Sequence, residues 1–140
     1  MFTIKIKGDE FRFEDKVRLE TLALKYEGTF YAGKVNNRLR ELSYEVDYDA
    51  EVEFLDYSFQ DSARIYATSM RYLICMAFQR VYPKLQIKFS NSISMGIYGR
   101  AINGIITQEM VLKVIEEMHA LIAKDYPIVR KKETIANAKK

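Results

Sequence analysis

The stretch AGKVNNRLRELS (residues 32–43), followed shortly by DAEVEF (49–54), decides how the front of this chain folds. Phe30 to Asn36 has strand character, Asn36-Asn37 suits a tight turn, and Leu39 to Leu42 reads as a short returning strand. Val46 sits in a polar connection. Val52 and Phe54 alternate with carboxylates, up to Asp56, as a last strand. Upstream, Phe2, Ile4 and Ile6 alternate with polar residues, Gly8-Asp9 offers a turn, and Phe11 and Phe13 alternate again: a β-hairpin. Leu19, Leu22, Ala23 and Tyr26 then fall at helical spacing, with Gly28 as a C-terminal cap. A small mixed sheet holding one helix against one face satisfies this order.

The back half reads differently. Tyr66, Met70, Leu73, Ile74, Ala77, Phe78 and Val81 make a sustained apolar helix face, stopped by Pro83. Leu85, Ile87 and Phe89 alternate as a strand. Ile93, Met95 and Ile97, then Ala101-Ile102, form a second strand, with Gly96, Gly99 and Gly104 allowing a bend or a close approach. Thr107 caps another helix, whose stripe is Met110, Val111, Val114, Ile115, Met118, Leu121 and Ile122. Ile128-Val129 is read as a further strand before a frayed end. The whole is α+β, with units expected at 1–58 and 59–140.

The 140 residues are 49% hydrophobic and 29% charged, ordinary for a packed chain and against long disorder. The net charge of +3 hides a split: residues 1–60 carry −4 and residues 61–140 carry +7. Carboxylates concentrate in 41–56 and basic residues in 124–140. The plainer reading of that basic end is a solvated helix end or linker, although such stretches also attract phosphate or nucleic acid. The single cysteine, Cys75, excludes an internal disulfide and fits a reducing compartment. No apolar run approaches the ~20 residues of a membrane span. The expected location is cytoplasmic.

Candidate chemistry is thin. Gly28 to Val35, GTFYAGKV, almost spells a P-loop, but Val35 stands where a hydroxyl must hold magnesium. The segment also leads from a helix end into a strand, the reverse of a phosphate-binding loop. His119, the single histidine, lies at the edge of an apolar stripe, and Cys75 lies inside an apolar helix, so both read as structural. Glu116-Glu117 and Glu51/Glu53 are paired carboxylates with nothing to mark a cleft. Tyrosine and phenylalanine are abundant, but without a basic, aromatic-interleaved strand they read as core. No catalytic residue and no metal ligand is expected.

With these residues read, two resemblances appear. AGKVNNRLRELS and DAEVEF resemble the TGS domain, a ubiquitin-like β-grasp unit carried by threonyl-tRNA synthetases and some GTPases; its usual Asn-Gly turn is Asn36-Asn37 here. The back half resembles the α+β domain shared by threonyl- and alanyl-tRNA synthetases. The matching pieces are Ile65-Tyr66, Ser69, Leu73-Ile74, Phe78, Tyr82-Pro83, Gly96-Ile97-Tyr98, Thr107-Gln108-Glu109 and Ile115 to Met118. In the synthetases that domain removes wrongly attached amino acids with a His-x-x-x-His pair. Those positions are Thr68 and Tyr72 here, and neither replaces imidazole as base or ligand.

The lost pair makes the chain similar to the front of bacterial uridine kinase-like nucleoside kinases, in which the pair is also missing. That resemblance implies a truncated second domain and a kinase domain downstream of Lys140 as partner. It also implies ATP and magnesium as that domain's cofactors, with none in these residues, and ATP-dependent phosphorylation of a nucleoside by the whole protein. The chain itself would be a non-catalytic regulatory module, binding nucleotide or RNA at a cleft walled by Thr68, Arg71 and Tyr72. The alternative is the TGS and editing-domain part of a threonyl-tRNA synthetase.

Overall fold

Alternating apolar side chains build the front sheet. In a computed structural model, which describes residues 1–93, 96–129 and 131–138, Phe2–Ile6 forms β1 and Asp9–Phe13 forms β2, antiparallel, with Phe2 opposite Phe13. Their turn is Lys7-Gly8, both at positive φ (51° and 93°), one residue ahead of the expected Gly8-Asp9. That geometry follows the natural strand twist. A two-residue strand, β3 (Val17–Arg18), leads into α1 (Leu19–Ala23).

Helix α1 is shorter than its apolar spacing suggested. The amides of Lys25 and Tyr26 donate to carbonyls three residues back, on Leu22 and Ala23, which tightens the chain and ends the helix. Leu24 is the C-cap, and Gly28 lies in the loop beyond, at φ +123°. Tyr26 is thereby free to pack 6.1 Å from Phe54, ring centre to ring centre.

β4 (Ala32–Val35) and β5 (Arg38–Arg40) flank the expected turn at Asn36-Asn37, both at positive φ. β6 (Glu45–Val46) pairs with β3 in a ladder too short to show as alternation. β7 (Ala50–Leu55) completes the sheet, in the order β2-β1-β7-β4-β5. The β1–β7 pair at its middle is parallel and the other pairs are antiparallel. Ile4, Ile6, Leu19, Leu22 and Val46 are fully buried, with Phe2, Val35, Val52 and Phe54 close to it. Burial of each large side chain contributes about 2 kcal/mol.

The back half is built on α2 (Gln60–Val81), which begins six residues ahead of Tyr66. β8 (Ile87–Ile93) and β9 (Gly96–Ala101) make a hairpin in which Ile93 pairs with Gly96. Ile93 therefore ends the first strand instead of opening the second; Met95 lies outside the described residues. α3 (Gln108–Ala123) begins at Thr107, whose hydroxyl accepts from the Met110 amide at 3.3 Å, as its sequence suggests. Ile128-Val129 is not a strand; the short α4 (Ile135–Ala138) follows instead. Ala77, Phe78, Val114 and Leu121 form the core. Only part of the broad α3 stripe is covered, and Val111, Ile115 and Ile122 stay exposed.

The chain divides into two compact units, Met1–Met70 and Arg71–Lys140. The boundary expected at 58/59 falls just ahead of α2, whereas this division falls within the helix. In the front unit, Tyr66 of α2 stands edge-on to Tyr31 and Tyr57. In the back unit, Ala77 and Phe78 pack with Val114 and Leu121 of α3. Among the described residues, no helix is long and apolar enough to cross a membrane.

Candidate functional site

Thr68, Arg71 and Tyr72 follow one another on α2 at i, i+3 and i+4, which puts all three on one helix face. The Thr68 hydroxyl donates to the Arg64 carbonyl at 2.9 Å, the usual local bond of a mid-helix threonine. Tyr72 is 53% exposed. Hydrolysis of an ester needs a proton acceptor working near neutral pH. A hydroxyl tied to its own helix and a phenol offer hydrogen bonds instead. Cys75, on α2, is half-buried, and His119, on α3, is exposed. Among the described residues, no three His, Cys, Asp or Glu side chains gather as a metal site would require.

The GTFYAGKV segment has a packing explanation. Gly33 lies in β4, where an added Cβ would come within 3.1 Å of Leu19 Cδ1. Lys34 pairs with Glu53 at 3.7 Å and stands 6.0 Å from the Phe59 ring. Its charge is already balanced.

Sequence reasoning missed a polar cluster at the edge of the front sheet. β5 is an edge strand, and the ladder sets Arg38 opposite Val35 and Arg40 opposite Gly33. Val35 and Gly33 are buried, so both arginines project on the face that carries the core. The Arg40 guanidinium lies over the Tyr44 ring at 4.8 Å, while its Nε is buried without an acceptor. The Tyr44 and Tyr48 hydroxyls are hydrogen-bonded to each other at 3.2 Å. That bond, followed by partial burial, raises the Tyr48 pKa above the usual phenol range. Nearby, Lys16 and Arg18 both bond Glu45, at 2.5 and 3.3 Å, and hold its carboxyl below the usual glutamate range. The available signal was an Arg-x-Arg pair straddling the start of the strand expected at Leu39 to Leu42, which the structure places at Arg38–Arg40, followed by tyrosines four and eight residues after Arg40.

No protein-family model matches the chain. It is 27% identical over 137 residues to threonine–tRNA ligase of Syntrophomonas wolfei subsp. wolfei, which covers 94% of this chain and 22% of that protein. It is 27% identical over 105 residues to threonine–tRNA ligase of Streptococcus equi subsp. zooepidemicus, covering 74% and 16%. Over 100 residues it is 27% identical to threonine–tRNA ligase of Desulforamulus reducens, covering 71% and 16%. The chain thus spans about a fifth or less of the length of these relatives. The similarities support the threonyl-tRNA synthetase reading of the sequence better than the nucleoside-kinase reading.

Proposed function

We propose that this chain is the TGS and editing-domain-like part of a protein related to threonine–tRNA ligases, and that it binds transfer RNA without hydrolysing an aminoacyl ester on it. One observation carries the reading: similarity to a threonine–tRNA ligase runs through nearly the whole chain. A sheet with a parallel middle pair flanked by hairpins, packed on one short helix, supports a β-grasp assignment for the front unit. The excess of basic residues in 61–140 suits a polyanionic partner. Thr68 and Tyr72 argue against hydrolysis, because the resemblance puts a histidine pair at those positions in the working editing domain.

The test is fluorescence anisotropy with labelled threonine transfer RNA across a salt series. Affinity should fall steeply as salt rises. Absence of binding at low salt would overturn the proposal.

A second reading is kept alive by the same two substitutions. A nucleoside-kinase accessory module, with ATP and magnesium handled by a downstream domain, also dispenses with the histidines. The coding sequence after Lys140 separates the two readings. A GxxxxGK[ST] stretch opening a helix after a strand would favour the kinase.

A further inference from the structure

We infer that Arg38, Arg40, Tyr44 and Tyr48, at the open edge of the front sheet, form a phosphate-recognition site that takes the backbone phosphate of RNA. The inference deepens the transfer-RNA reading and rests on it for the identity of the ligand.

The first ground is unbalanced charge. Lys5, Lys16, Arg18 and Lys34 of the front unit each have a carboxylate within 4 Å. Among the described residues Arg38 and Arg40 have none, and neither do Lys7, Arg12, Lys25 and Arg64, of which Lys7 and Lys25 stand over aromatic rings. Arg38 and Arg40 are the two that share one face of a single strand. The second ground is fixed geometry. Arg40 is held by stacking on Tyr44, and its Nε meets no acceptor. Stacking sets the plane of the guanidinium while leaving its terminal N–H groups for an oxyanion, the fork that matches phosphate. The third ground is placement. Arg38 lies two residues away on the same face of an edge strand, and the Tyr44–Tyr48 hydroxyl pair, next to Arg40, keeps one O–H free to donate. An exposed tyrosine at such a site also gives a base a ring to stack on.

Carboxylates limit the strength of this site without abolishing it. Glu45 is neutralised by Lys16 and Arg18. Glu41 and Asp47 are exposed to solvent and, among the described residues, form no ion pair, so the site's share of RNA affinity should be modest.

The experiment follows the arginine Nε–Hε signals of the whole 140-residue chain by nitrogen NMR. The chain is titrated in parallel with transfer RNA, a short single-stranded RNA and inorganic phosphate. The Arg38 and Arg40 signals should move with both RNAs, and Arg12, on the opposite edge strand β2, should stay still. Arg40→Ala should weaken transfer-RNA binding about tenfold and lower the salt slope by about one, while Arg40→Lys should weaken binding with the slope kept. The exposed Arg38→Ala serves if Arg40→Ala lowers the melting temperature.

Transfer-RNA binding with both signals unmoved and both variants unaffected would overturn this inference alone. Signals that answer only to inorganic phosphate, without RNA binding, would overturn RNA as the ligand and the transfer-RNA reading with it. No response to any of the three probes would overturn both.

Discussion

The front and back units use similar numbers of residues and achieve unequal burial. The front unit closes a five-stranded sheet over α1 and keeps Ile4, Ile6, Leu19, Leu22 and Val46 fully out of water. Among its described residues the back unit has the second half of α2, α3, the one-turn α4 and a two-stranded hairpin, with four buried residues at its centre. Every residue of β9 except Ala101 is exposed. A hairpin alone is marginal in water, whereas three or more strands packed on a helix can stand by themselves. The difference teaches where stability resides: the front unit should be rigid, and the back unit should open first.

That contrast can be broken most directly at its buried leucines. Leu22→Ala should cost about 3 kcal/mol, and Leu121→Ala, in the sparser core, about 2 kcal/mol, both read by urea unfolding. A larger loss at Leu121 would reverse the ranking. Hydrogen exchange should separate the units next. Amides shared by β1 and β7 should exchange at least about 100-fold more slowly than those of β8 and β9, and equal rates would erase the contrast. Thr107→Ala removes the cap of α3 and should cost about 1 kcal/mol, read by thermal unfolding of the back unit.

The smallest effect is electrostatic. The Glu45 carboxyl is held below its ordinary value of 4.5 by Lys16 and Arg18. Its contribution is therefore full above that value and is lost as pH falls through the lowered one. Glu45→Gln should flatten the acid limb of the front unit's stability only slightly, because the pair is solvent-exposed. A large effect would mean that the exposed ladder matters more than the core.

The sequence made the front unit legible because its strands obey a period of two: Phe2, Ile4 and Ile6 are buried and their neighbours are less so. Asn36-Asn37 marked its turn through residue type alone. Elements decided by contact escaped. β3 and β6 have two residues each and exist only by pairing with one another. α1 ends early in tightened turns at Lys25 and Tyr26, which leave Tyr26 to pack on the sheet. The apolar spacing of α3 predicts one buried face, yet Val111 and Ile115 stay in water while Val114 is buried. The Arg40 cluster was invisible because its meaning depends on which face of an edge strand the arginine takes. Thr68 and Tyr72 enter through the sequence resemblance alone.

The central claim, binding without hydrolysis, is met most directly by incubating the chain with mischarged threonine transfer RNA and following loss of the aminoacyl ester. The expected result is a deacylation rate equal to that in buffer, at protein concentrations that saturate binding. Loss of the ester that rises in proportion to added chain would contradict it.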